Sequence, residues 1–261
     1  MNTDPALVSL VGGGPGHPDL LTLAAEHALG RAREIVADRS LAPLLDALTG
    51  EGLFVRNEGV AVATLVADDQ PANVELLAAI DRGPGVVRLY RGDPWLHPFG
   101  DCERARLRAA GVRFSSVAGV VEELAVLAAA GLPVQVRTLA VATTFAVDAI
   151  SSSECTEHTP ATDSALRTGL PADPDHTLVV RTADLVVTAG RLVERALLDG
   201  VDLNRPAAAL LTSPGLGGAV RATLGNLADQ CPAGPGVVVV GLVAALDTGN
   251  LSMPMVREAA R

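Results

Sequence analysis

No lysine occurs anywhere in this chain of 261 residues, and all 20 of its basic side chains are arginine. That absence removes Schiff-base chemistry and an ammonium general acid from the options. Acidic residues number 30, so the net charge is −10. A chain this acidic, with no basic run, repels a phosphate backbone, and nucleic acid is not an expected partner. Cysteine is scarce too. Cys102, Cys155 and Cys231 are odd in number, widely spaced and without a ligand pattern, which predicts unpaired thiols in a reducing compartment and no metal. No apolar run nears the ~18 residues that span a bilayer, so no membrane is expected. The opening residues, Met1 to Asp4, hold no basic n-region, which points to the cytoplasm rather than to secretion. Aromatics make up only 2%, so a core must come from Leu, Val and Ala. With 49% hydrophobic and 19% charged residues, that core is large and disorder is excluded.

Apolar runs alternate with helix-length patterns, the signature of a parallel α/β sheet. Strands are expected at Ala6–Val11, Glu34–Ala37, Val86–Tyr90 and Val112–Val117. Helices are expected between them at Pro18–Ala32, Leu41–Leu48, Asn73–Asp81 and Cys102–Ala110, and then at Val120–Ala130. A second unit follows. Its expected strands are Thr138–Thr144, Thr177–Arg181, Ala207–Thr212 and Val237–Ala245, with helices at Leu185–Leu198 and Ala222–Asp229. Residues 151–175 are polar and aperiodic, which predicts a surface loop serving as a lid or subunit contact. The expected fold class is α/β in two lobes, 1–117 and 118–261, with a ligand cleft between them.

The turn Gly12-Gly13-Gly14-Pro15-Gly16-His17 joins the first strand to the first helix. Glycines there let backbone approach a ligand or another strand closely. A dinucleotide fingerprint is the obvious candidate, and Asp38 stands near where its ribose-binding acid belongs. The spacing refuses it: His17 occupies the third glycine position and Pro15 lies inside the turn.

Four segments in order carry a different resemblance: Val11 to Thr22, Asp38-Arg39-Ser40-Leu41, Val87 to Trp95 with its Gly92-Asp93-Pro94, and Val117-Ala118-Gly119-Val120. Together they resemble the tetrapyrrole (corrin/porphyrin) methylases, across nearly the whole chain. The resemblance implies the class III S-adenosylmethionine (SAM) methyltransferase fold, SAM as cofactor and a homodimer. It places the cofactor on Pro15, Arg91, Gly92, Asp93, Leu96, Val121, Glu122, Thr182, Ala183 and Ala208. Substrate falls on Trp95, His97 and Arg137, and the catalytic acids are Asp38, as base, and Glu122. Three departures stand out. Arg91 replaces the first glycine of the family's G-G-D-P, Glu122 replaces a small residue after V-P-G-I-T, and Arg56 stands where some members have a lysine.

Each residue also has a plainer reading. Asp38 can cap the next helix, Asp93 can simply form a turn, and Glu122 can sit on an exposed helix face beside Glu123. Trp95 can stack on a flat substrate or pack in the core. His97 can carry a proton or merely be solvated, and His17 can cap the following helix.

An acidic chain that lacks the family's usual histidines is an awkward host for a substrate with eight carboxylates. The expected substrate is therefore a smaller electron-rich heteroaromatic, an indole methylated at C3, with possible closure to a pyrroloindoline, as the resemblance permits. The alternative is uroporphyrinogen III or precorrin methylation in sirohaem or cobalamin synthesis. A non-catalytic SAM-binding subunit is the third reading.

Overall fold

Five short runs rich in Val, Leu and Ala build the first sheet. The computed structural model describes residues 8–50, 62–132, 139–144, 170, 177–182, 184–211 and 219–245. Its first sheet comprises β1 (Val8–Gly12), β2 (Glu34–Asp38), β3 (Val62–Val66), β4 (Val86–Tyr90) and β5 (Phe114–Val117), all parallel, in the order β3-β2-β4-β1-β5. β4 lies at the centre and is buried throughout, whereas the edge strand β5 exposes Ser115 and Ser116. Buried parallel strands read as continuous apolar runs, and that is how β1, β2 and β4 read.

Helices cover both faces. α1 (Leu23–Leu29) and α2 (Ala42–Gly50) pack on the side chains of Val11, Ile35, Ala37, Val87 and Leu89. α3 (Asn73–Asp81) and α4 (Gly100–Ala109) pack on the opposite set, Val8, Leu10, Val36, Val86 and Tyr90. The period-2 alternation within each strand sorts these residues onto the two faces. The expected single helix Pro18–Ala32 is corrected to two pieces. A 3-10 turn, Pro18–Leu20, precedes α1, because Leu21 and Thr22 are extended and the Thr22 hydroxyl caps the Ala25 N–H at 3.1 Å. Strand β3 was not foreseen.

The chain divides into two compact units, the first reaching Glu122 and the second starting at Glu123. Helix α5 (Glu122–Ala129) begins at that junction. The second sheet holds β6 (Leu139–Thr144), β7 (Thr177–Thr182), β8 (Pro206–Leu211), β9 (Ala219–Thr223) and β10 (Gly236–Val240), in the order β6-β7-β10-β8-β9. Only β6 and β7 pair in parallel; β10 runs antiparallel to β7 and β8, as does β9 to β8. The expectation of parallel strands therefore fails here. Ala222 and Thr223, expected to be helical, belong to β9, and helix α7 (Leu227–Gln230) starts later. The long strand expected to reach Ala245 stops at Val240, where Gly241 takes φ 143 and a 3-10 turn follows.

Helix α6 (Leu185–Asp199) is capped by Asp184, which accepts the Val187 N–H at 3.1 Å, and ends on left-handed Gly200. Its apolar stripe, Leu185, Ala189, Leu192 and Ala196, packs on one face of the second sheet, while Val126 and Leu127 of α5 pack on the other. The expected loop 151–175 lies outside the described residues apart from Leu170. Cys231 is a free, buried thiol, but Cys102 is disulfide-bonded, which corrects the expectation of three unpaired cysteines. No helix among the described residues is long and apolar enough to cross a membrane.

Truncating the buried Leu192 to Ala should cost about 2–5 kcal/mol, whereas Leu198→Ala on the solvent side should stay within about 0.5 kcal/mol. Urea denaturation of the two variants measures the difference.

Candidate active site

The carboxyl ends of parallel strands are where α/β sheets bind ligands, and in the first unit the loops that leave those ends are joined backbone to backbone. The Gly13 N–H donates to Tyr90 O at 2.7 Å, and Gly14 and Gly92 form a two-way bridge, with N–H to O distances of 3.2 and 2.8 Å. A Cβ on Gly119 would lie 2.2 Å from Gly92 O, and one on Gly12 would lie 2.5 Å from Gly119 Cα. No residue but glycine permits that approach. The loops after β1, β4 and β5 are thereby welded together. Asp93 reinforces the weld: one carboxylate oxygen accepts the Trp95 N–H at 2.8 Å and the other the Gly119 N–H at 3.0 Å. The plain turn-forming reading of Asp93 is thus realised, and both of its oxygens are engaged.

The same bonds settle the dinucleotide question. Gly13, Gly14 and Gly16 all donate their N–H groups within the protein, Gly16 to Gly13 O at 3.3 Å, and Pro15 has none to give. No row of N–H donors is left for a pyrophosphate, and α1 begins only at Leu23. His17 Nδ1 accepts the Asp19 N–H at 3.2 Å and so caps the 3-10 turn.

Beneath this edge lies a buried charge cluster. Arg88 sits mid-strand in β4, fully enclosed, with Nη2 2.7 Å from Asp38 Oδ1 and Nε 2.9 Å from Glu103 Oε2. Glu103 also accepts the Tyr90 hydroxyl at 2.7 Å and the Ala72 N–H at 2.8 Å. Asp38 Oδ2 accepts the Arg91 N–H at 2.7 Å and lies 3.2 Å from His97 Nε2. His97 Nδ1 accepts the Phe99 N–H at 3.3 Å, so the ring proton belongs on Nε2, where it is donated to Asp38. Burial pushes the Asp38 carboxyl up, but the Arg88 guanidinium, His97 and the Arg91 N–H outweigh it and hold the group far below the ordinary carboxylate range. For Arg88, burial opposes the charge and is overcome by Asp38 and Glu103, so it stays protonated.

This arrangement corrects two expectations. A carboxylate buried against three donors, with its proton affinity driven down, is a poor general base, so Asp38 acts here as a structural anion. His97 is buried with both ring nitrogens engaged, so it is not solvated and has no ring nitrogen free to carry a proton.

The exposed-face reading of Glu122 also fails. Its side chain is only 1% exposed and takes the Arg91 guanidinium, with Nε 2.8 Å and Nη2 2.6 Å from Oε1. Trp95 is 57% exposed, which rules out core packing; its indole N–H donates to Ser116 Oγ at 3.0 Å, and the Arg104 guanidinium lies 4.1 Å from its ring centre. Leu96 beside it is exposed as well. Pro15, Gly92, Asp93 and Val121 belong to the same edge, on the loops after β1, β4 and β5.

In the second unit, Ala208 is a buried core residue of β8, and the Thr182 hydroxyl bonds Thr188 at 2.7 Å and Asp184 O at 3.0 Å. Ala183, Arg137 and Arg56 lie outside the described residues. Sequence reasoning passed over Arg88, Tyr90 and Glu103. The available signal was an arginine inside an otherwise apolar strand, since a buried cation demands a buried acid.

The family model described as Tetrapyrrole (Corrin/Porphyrin) Methylases matches residues 7–212. A siroheme synthase from Chromobacterium violaceum is 30% identical over 247 residues, covering 92% of this chain and 50% of that protein. The chain spans about half or less of the length of the curated relatives it matches. Among solved structures, a uroporphyrin-III-C-methyltransferase from Thermus thermophilus aligns with TM-score 0.66 and 29% identity, covering 92% of this chain and 96% of that one. The form of that enzyme complexed with S-adenyl homocysteine aligns with TM-score 0.67 and 27% identity, covering 91% and 98%.

Replacing Asp38 with Asn leaves Arg88 buried beside a neutral partner and should cost about 3–5 kcal/mol. The folded-state carboxyl binds protons less readily than the unfolded one, so its contribution is present above the unfolded value near 3.9 and fades as pH falls below it. Thermal melts between pH 7 and pH 2.5 should therefore fall more steeply for the wild type than for D38N.

Proposed function

The chain belongs to the tetrapyrrole (corrin/porphyrin) methylases, and from that premise we propose that it C-methylates uroporphyrinogen III. It is a SAM-dependent methyltransferase. The observation that carries the substrate reading is end-to-end similarity to uroporphyrin-III-C-methyltransferase, supported by the named siroheme synthases. The indole expectation gives way to this alternative, which the uroporphyrin-III-C-methyltransferase of Thermus thermophilus and the siroheme synthases favour. A homodimer in the cytoplasm is part of the proposal by family expectation only.

SAM supplies an electrophilic methyl on a sulfonium. The residues of the welded edge fit such a donor in kind. Gly92 holds φ 78, and a Cβ there would meet nothing nearer than the Glu122 amide nitrogen at 3.8 Å, so a ligand can lie close to bare backbone. Pro15, Gly92, Asp93, Leu96 and Val121 are the residues of the first unit proposed to hold it.

Methyl transfer to carbon is an in-line displacement whose main demands are alignment and exclusion of water. A pyrrole carbon is electron-rich enough to attack without a covalent intermediate on the protein. The chain's task is therefore to hold two reactants still. The weld of Gly12, Gly92 and Gly119 removes loop freedom before binding, so little ordering remains when reactants arrive. Trp95 offers an open indole face whose orientation is fixed by Ser116 and Arg104, a platform for a flat macrocycle.

Labelled SAM offered together with uroporphyrinogen III and a panel of indoles should place label in the tetrapyrrole. Label in indoles alone overturns the reading. Trp95→Ala should raise the tetrapyrrole KM about tenfold while changing kcat less.

A further inference from the structure

Two positions depart from the family pattern in opposite charge, and the structure brings them together. Arg91 stands where a glycine is usual and Glu122 where a small residue is usual, 31 residues apart, yet they form one ion pair. Each is an ionic partner of the other, and a buried charge that loses such a partner is costly.

The pair is asymmetric. Glu122 is enclosed, at the first residue of α5, while the Arg91 side chain keeps 13% of its surface open. The guanidinium spends its Nε and Nη2 on a single oxygen, Glu122 Oε1, and its Nη1 makes no hydrogen bond among the described residues. Its backbone is anchored too, since the Arg91 N–H donates to Asp38 Oδ2 at 2.7 Å. Burial works against the charge, but Glu122 foremost, with Asp68 and Asp38, keeps the guanidinium protonated. The result is a fixed cation with one donor edge turned away from its protein partner, beside Gly92 and Asp93.

We propose that Arg91, held in place by Glu122, is a specificity residue that receives a carboxylate of the methyl-accepting substrate. This rests on the tetrapyrrole reading above. A substrate with eight carboxylates needs cations in its site, and a chain of net charge −10 without lysine must supply them from arginine. Arginine's planar fork holds one carboxylate on one edge and takes another on its neighbouring edge; a lysine has no such geometry. In this account Glu122 is a positioning residue that does not touch substrate, and the pair serves the substrate in place of the cofactor and catalytic roles that the resemblance implies for Arg91 and Glu122.

The test uses R91G, E122S, the double variant R91G/E122S and R91K in the full chain. KM and kcat with uroporphyrinogen III are measured alongside SAM affinity by calorimetry. The double variant restores small residues at both positions and leaves no unpaired buried charge, so it guards against a folding failure in either single one. Expected is a rise of about tenfold or more in the tetrapyrrole KM for R91G and for the double variant. E122S should show a comparable rise, the double variant should be no worse than R91G, and R91K should recover only part. SAM affinity should stay within about twofold, and the KM difference should shrink in high salt. An unchanged KM in the double variant overturns the proposal. So does a loss confined to SAM affinity, which would assign Arg91 to the carboxylate of the donor's own amino-acid end. Wild-type protein that neither binds nor methylates uroporphyrinogen III overturns the substrate reading and this inference with it. Normal wild-type turnover with unaffected variants removes the inference alone.

Discussion

Arg88 sets the terms for the first unit. A guanidinium in the middle of a fully buried strand cannot stand without anions, and the protein supplies one from the end of β2 and one from α4. Isolated, such a charge would cost far more than a domain's margin of stability. Satisfied, it fixes three elements at once, and through Glu103 it also holds the Ala72 N–H at the start of α3. Asp38 extends the constraint upward: the oxygen not taken by Arg88 binds the Arg91 N–H, the first residue of the loop that carries Gly92 and Asp93. The candidate site thus rests on a charged foundation rather than on apolar packing alone.

Above that foundation the backbone does the joining. The glycine turns spend their N–H groups on one another, so the edge is rigid but has few main-chain donors left for a ligand. The side chains set on the weld are the exposed Trp95 and Leu96 and the Arg91–Glu122 pair. A rigid edge suits methyl transfer, a reaction in which distance and angle between donor sulfur, methyl and attacking carbon govern the rate.

The second unit follows different rules. Its sheet is mixed, one face is closed by the amphipathic α6, and on the other Ala208 serves the core against α5. Thr182 is tied to Thr188 and to the cap of α6.

Much of this was legible in the residues. Continuous apolar runs gave β1, β2 and β4 within a residue or two, Thr22 and Asp184 are capping residues in cap positions, and the ordered glycine motifs named the family. Local pattern suffices there because strand burial, caps and tight turns depend on neighbours in sequence. It did not suffice for strand direction in the second sheet, for β3 and β9, or for the fate of the acids. Asp38 looks like a free carboxylate until Arg88 is found beneath it, and Glu122 looks like a surface charge until Arg91 reaches it from 31 residues away. A charge takes its character from whatever the fold places within a few ångströms, and only the tertiary structure decides which residues those are.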